Sequence, residues 1–245
     1  MHSRFPFLIG CYLLSLSSFA QPAGPALEIR QLTGNFYIYT TYNYYEGNRI
    51  PANGMYLLTS QGALLFDSPW DTTQFQPLLD SILARHGQKV VWCLATHFHD
   101  DRSGGLTFYG QQGIATYTTR KTDELSQQRS KNRARFIIPE DTVFTIGEYS
   151  FRVFCPGPGH TPDNIVAWFE KERILYGGCL IKSVEDATLG YLGDADEQRY
   201  AATLQNVKRS CRRPAYIIPG HSDWTSRRSL KHSLKMAKAL RRKNK

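Results

Sequence analysis

Apolar and polar positions change period several times along the chain, and the changes divide it into elements. Short apolar runs at LEIRQL (27–32), NFYIYTTY (35–42), GMYLLTS (54–60) and GALLFD (62–67) alternate with turn signals and predict an antiparallel meander. Between two of these runs, residues 42–54 (YNYYEGNRIPANG) are polar and aromatic. They read either as a solvated hairpin tip or as a flap over a ligand, with Tyr44 and Tyr45 as rigid amphipathic contacts. Turn residues open 67–87, after which Phe75, Leu78, Leu79 and Ile82 fall on one helical face. Val90–Ala95 is strand-like. Helices are predicted over Gly105–Gln112, Lys121–Ala134 and Tyr200–Arg209, and strands over Phe136–Phe144, Gly147–Phe154, Ile165–Phe169, Arg173–Tyr176 and Ala215–Ile218. Leu230, Leu234, Ala237 and Leu240 recur at i, i+4, i+7, i+10 and predict a closing amphipathic helix. Meander, helices, meander, helices, with no linker, predicts an α+β chain of two packed sheets flanked by helices.

What interrupts this pattern is the stretch VVWCLATHFHDDRSGG from Val90 to Gly105. Its apolar run ends at Ala95, and His97, His99 and Asp101 follow at i, i+2, i+4. In extended backbone that parity points all three to one side. A single histidine at a strand end is usually just hydrogen-bonded, but two imidazoles and a carboxylate at one parity suit a borderline cation such as zinc. Three later loops repeat the layout of an apolar strand, then Gly or Pro, then a metal-competent residue. They deliver His160, Cys179 and His221. The remaining histidines, His2, His86 and His232, fall in the N-terminal segment and on helices, where surface roles are expected. Six donors are the number for two zinc sites with three protein ligands each. Three ligands leave a position open, as catalytic sites do.

Charge changes the picture little. The 245 residues carry a formal +9, which on its own would raise nucleic acid as a partner. Nine of the cations lie in residues 226–245, which hold no acid, and the chain between residue 20 and that segment is near −1. No nucleic-acid partner is expected; the tail reads as a helix with a solvated basic face, or as a surface for an anionic membrane or polymer. Residues 1–20 carry one early cation, Arg4, an apolar run, and small residues at Ser18 and Ala20. They predict a signal peptide cleaved after about Ala20, export to a bacterial periplasm, and a single domain over 21–245. The apolar run is too short to span a bilayer. LIGC at 8–11 resembles a lipoprotein box, but only ten residues precede Cys11, so the match is taken as accidental. The other cysteines, Cys93, Cys155, Cys179 and Cys211, are too irregularly spaced for a disulfide framework, and Cys93 reads as a packed thiol.

The H-x-H-D-D-R run, G-H-T-x-D-N at 159–164, G-G-C-x-x-K at 177–182 and the late P-G-H together resemble the metallo-β-lactamases, subclass B1, over essentially the whole chain after the leader. Related zinc hydrolases carry H-x-H-x-D-H and an Asp in place of the cysteine; Arg102 and Cys179 point to the β-lactamase branch. The resemblance implies a four-layer αββα sandwich and two Zn2+ per chain, one held by His97, His99 and His160, the other by Asp101, Cys179 and His221. It implies hydrolysis of the β-lactam amide bond of penicillins, cephalosporins and carbapenems by a metal-bound hydroxide, with Asp101 orienting the nucleophile, and hence antibiotic resistance. Lys182 would anchor the substrate carboxylate. Tyr191 stands where many relatives have a substrate-binding Asn. Arg102 would lie beneath the second site, and Asp67 would support it or serve as a turn or helix cap. A monomer acting on a small-molecule substrate is expected.

The alternatives are a zinc hydrolase of another ester, thioester or phosphodiester, and a non-catalytic zinc protein. Two open sites weigh against the second. Neither Ser-x-x-Lys nor Gly-x-Ser-x-Gly occurs, so a serine acyl-enzyme has no candidate.

Overall fold

The computed structural model describes residues 26–129 and 132–243; the expected leader lies outside them. The meander folds as β1 (Leu27–Thr33), β2 (Phe36–Tyr45), β3 (Asn48–Thr59) and β4 (Gly62–Phe66), each antiparallel to the next. To this edge β5 (Val90–Leu94), β6 (Ala115–Thr119) and β7 (Phe136–Ile138) add in parallel, giving seven strands in sequence order. Parallel neighbours need crossovers. These are α1 (Phe75–His86), then the one-turn α2 (Asp100–Ser103) with α3 (Leu106–Gln111), then α4 (Arg120–Arg129). The second sheet holds β8 (Asp141–Ile146), β9 (Tyr149–Phe154), β10 (Val166–Phe169), β11 (Ile174–Gly178) and β12 (Tyr216–Pro219), in the order β12-β11-β10-β9-β8. Helix α5 (Tyr200–Ser210) crosses between its one parallel pair, β11 and β12, and α6 (Ser229–Lys243) follows.

Side-chain alternation sorts the apolar residues into layers. Phe36, Ile38, Leu57, Leu64 and Phe66 from the first sheet meet Phe151, Val153, Phe169, Ile174 and Tyr176 from the second. The opposite face of the first sheet (Tyr39, Tyr56, Leu65, Cys93) packs on Leu78 and Ile82 of α1 and Leu106 and Tyr109 of α3. The outer face of the second (Val166, Trp168, Leu175, Ile217) packs on Tyr200, Leu204 and Val207 of α5 and Leu230 and Ala237 of α6. The result is the expected αββα sandwich. All four described cysteines are free, and Cys93 is fully buried in the outer layer.

Several expectations need correction. Phe136–Phe144 is not one strand. β7 ends at Ile138, and Pro139, which has no N–H to give a ladder, marks the step to β8 in the other sheet. The helix predicted to Ala134 is described over Arg120–Arg129, and residues 132–134 are not helical: that stretch offers no apolar face to bury, and Arg133 folds back to pair with Asp123. Of the two readings of residues 42–54, the hairpin tip is the one the backbone adopts, as the far end of the β2–β3 ribbon. Its two-residue turn, Glu46-Gly47, has positive φ at both positions (50° and 77°), the mirror-image turn that matches strand twist. His86 and His232 are half-buried and bonded, His86 Nε2 to the Tyr56 hydroxyl (2.9 Å) and His232 Nε2 to the Asp186 carbonyl (2.8 Å).

Candidate metal centre

Four loops meet at one end of the sandwich. His97 and His99 follow β5, His160 lies between β9 and β10, Cys179 follows β11, and His221 follows β12. The first loop does not stay extended as expected: the chain bends through 96–99, with His99 itself in an extended conformation (φ −64°, ψ 148°) as it leads into α2. Asp101 sits in α2 and reaches the cluster by a helical turn. All six donors come together. The rings of His97, His99 and His160 lie 4.8–5.2 Å apart, edge to face. The ligand atoms of Asp101, Cys179 and His221 lie within 4.8 Å of one another, as do those of His97, His160 and Cys179 and of His97, His99 and Asp101.

Backbone chemistry allows this crowding. A Cβ on Gly220 would stand 2.7 Å from both the amide and the sulfur of Cys179, so only glycine fits before His221. Gly178 has φ 51°, and a side chain there would strike Thr96. The Asn53 amide donates to the Gly220 carbonyl at 2.8 Å, tying β3 to the end of β12 across the two sheets.

Arg102 is 1% exposed and lies under the second trio. Its Nε donates to Asp101 Oδ2 (3.0 Å) and Cys179 Sγ (3.1 Å), Nη1 to the Asn53 carbonyl (2.6 Å), and Nη2 to the Gly220 carbonyl (2.7 Å). Burial opposes its charge, but Cys179, Asp101 and Asp67 hold it protonated well above the usual arginine range. Burial likewise opposes the Asp101 carboxylate, yet Arg102 and His221 keep its pKa well below normal. Burial pushes the Cys179 thiol well up in spite of Arg102, so taking a cation there requires releasing a proton. Burial, together with neighbouring His99 and Lys182, keeps His97 and His160 neutral far below pH 6.5, the state in which imidazole ligates.

Asp67 is fully buried at positive φ (64°). It is no helix cap, a role taken by Asp71. Its carboxylate accepts from the Thr96 amide (2.7 Å) and hydroxyl (3.0 Å) and from the Tyr176 hydroxyl (2.7 Å), and stands 3.6 Å from Arg102. Asp67 thus braces Arg102 from the side away from the donors. Lys182 is only 6% exposed and has no described carboxylate at ion-pair distance. Burial lowers its pKa, offset in part by Cys179 and Asp186. Tyr191 is half exposed; its ring meets His99 edge-on at 5.8 Å, and its hydroxyl rests where Gly193 leaves room.

Residues 48–221 match the model of the metallo-beta-lactamase superfamily, a span that runs from β3 to the last predicted ligand. The chain belongs to the metallo-β-lactamase superfamily. It is 37% identical over 242 residues to the metallo-beta-lactamase type 2 of Elizabethkingia meningoseptica, covering 99% of this chain and 97% of that one. It is 39% identical to metallo-beta-lactamase IND-1 of Chryseobacterium indologenes over 236 residues, covering 96% and 98%. Among solved structures it resembles metallo-beta-lactamase IND-7, with a TM-score of 0.84 at 39% identity over 86% of this chain and 98% of that one.

A metallo-β-lactamase implies bound metal, zinc by family, and the residues present fit it. His97 Nε2 and His160 Nδ1 are buried nitrogens with no hydrogen-bond partner, which a folded chain rarely tolerates without a ligand. Three imidazoles, a fourth beside a thiol, and a carboxylate form a donor set suited to zinc.

Sequence reasoning missed Asp194. Its carboxylate lies 3.0 Å from His99 Nε2 and is gripped from the other side by Arg129 (2.8 and 3.1 Å), so it fixes the ring and leaves Nδ1 for a metal. No motif surrounds it. Asn53 was missed as well. It works partly through its backbone carbonyl, which accepts from Arg102 and Tyr176, and a carbonyl has no sequence signature.

Proposed function

We propose that this metallo-β-lactamase hydrolyses the amide bond of penicillins, cephalosporins and carbapenems, with two zinc ions per chain, and so confers antibiotic resistance. The observation that carries the reading is the convergence of six donors from four loops over the buried Arg102, with the Lys182 ammonium close by and free of carboxylates. His97, His99 and His160 would hold one ion, and Asp101, Cys179 and His221 the other. When bound, the zinc pair supplies a water acidified to near-neutral pKa and a Lewis acid for the carbonyl and the departing nitrogen.

The chain's own residues do the rest. Asp101, kept ionised by Arg102, orients the attacking water through its free oxygen. Lys182 pairs with the carboxylate beside the lactam nitrogen, at a position only 6% exposed, where a charge pair is stronger than in bulk water. Tyr191 walls the rim beside His99, where relatives use an amide donor. Asp67 and Asp194 keep Arg102 and His99 in place. Subclass B1 is supported by Cys179 as a ligand and Arg102 after Asp101. The enzyme is read as exported to the periplasm after cleavage near Ala20, as one domain over 21–245, and as a monomer. No described helix is long and apolar enough to cross a membrane.

Nitrocefin hydrolysis with and without a zinc chelator tests this. Turnover abolished by the chelator and restored by zinc is expected. Chelator-sensitive hydrolysis of thioesters or phosphodiesters with none of nitrocefin contradicts it.

A further inference from the structure

Helix α6 buries one stripe and displays another. Leu230, Ser233 and Ala237 are buried, and Leu234 and Leu240 pack partly against α5 and the second sheet. At roughly 100° per residue, Lys231, Lys235, Lys238 and Arg242, spaced i, i+4, i+7, i+11, fall within an arc of about 60° on the opposite side. All four are exposed, as are Arg227, Arg228 and Arg241 beside them. Among the described residues none of these seven forms an ion pair, and the chain has no acid after Asp223. The last turns of α6 border a groove of about 330 Å³ lined by Ala201, Ala202 and Gln205 of α5 and by Lys238, Arg241 and Arg242.

We propose that this face of α6 is a docking surface for a bilayer rich in anionic phospholipid, with the groove taking a phosphate headgroup. The four-residue stripe is straight and about 17 Å long, which matches a planar array of negative charge better than a curved or pocketed partner. The stripe has no aromatic residue to stack on a base and no exposed apolar ridge to insert, so the helix lies on the headgroups. The rest of the chain after residue 20 is near electroneutral, so the charge asymmetry fixes one orientation. Ser233, which bonds the Lys182 amide at 2.8 Å, is on the buried side of the helix. Docking through the cations therefore leaves the Lys182 side of the metal centre facing away from the bilayer.

Co-sedimentation of the zinc-loaded enzyme with vesicles tests this. Binding is expected to vesicles of phosphatidylglycerol in phosphatidylcholine, not to phosphatidylcholine alone, and to vanish in 0.5 M salt as screening shortens to about 4 Å. The triple variant Lys235→Gln, Lys238→Gln, Arg242→Gln should bind on the order of 100-fold more weakly, given roughly fivefold per cation near an anionic surface. Its hydrolysis of soluble substrate should not change. Lys235→Arg with Lys238→Arg should bind as the parent does. No binding at low salt, equal binding by the parent and the Gln variant, or tighter binding to duplex DNA than to the anionic vesicles at matched salt would overturn the proposal.

Discussion

The guanidinium Nε of Arg102 donates to the sulfur of Cys179 at 3.1 Å, although 77 residues separate the two in sequence. One buried cation thereby anchors Cys179, the Asp101 carboxylate and the carbonyls of Asn53 and Gly220. Arg102→Ala takes the cation from the buried Asp101 carboxylate and leaves the Asn53 and Gly220 carbonyls with one donor each, the Tyr176 hydroxyl and the Asn53 amide. Breaking a buried pair in this way costs about 3–5 kcal/mol. The metal-free variant is expected to melt roughly 10 °C lower than the parent by calorimetry.

Cys179 supplies the one soft donor of the cluster. Cys179→Ser keeps the size and removes the softness, so it should weaken one zinc equivalent and spare the other. Competition with a chromophoric chelator should show one tight and one weak site in the variant against two tight sites in the parent. Two unaltered sites would remove Cys179 from the ligand set.

Asp194 holds His99 from outside, with Arg129 behind it. Partners of this kind contribute about 10–100-fold in metal affinity. Asp194→Ala is expected to weaken zinc by that factor with little change in melting of the metal-free protein. Arg129→Gln should do less, since its side chain is 56% exposed. Zinc dissociation constants for the two variants check the order.

Much of this was legible in the sequence, and the reasons are specific. His97, His99, His160, Cys179 and His221 each lie in a loop that follows an apolar strand, so strand patterning with the Gly and Pro signals placed them beyond sheet ends. The two-sheet packing followed from the alternation in β2 to β4 and in β9 to β11. Three things were hidden. The turn of α2 that swings Asp101 inward is too short to show periodicity. The β7–β8 switch reads as one apolar run unless Pro139 is given its full weight. Asp194 and the Asn53 carbonyl act through tertiary proximity, across 95 and 49 residues, which local pattern does not encode.

Burial, outweighing Arg102, Tyr176 and Thr96, pushes the Asp67 carboxyl from 3.8 up to about 6. The folded metal-free chain then keeps a proton that the unfolded chain releases. Stability from this group is full below pH 3.8 and is lost as pH rises through 6. Asp67→Asn removes that term. In urea unfolding of the metal-free protein, the stability of the parent relative to the variant should fall by on the order of 2–3 kcal/mol between pH 3.5 and pH 7. A constant difference would show that Asp67 titrates alike in both states.

The most direct test of the central claim is carbapenem hydrolysis followed through a zinc titration of the metal-free enzyme, with bound zinc measured in parallel. Six donors arranged as two sites predict binding of two equivalents, turnover that rises with occupancy, and loss of both in a double variant of His160→Ala and His221→Ala. Hydrolysis at full rate without zinc, or two tight equivalents retained in the double variant, would contradict it.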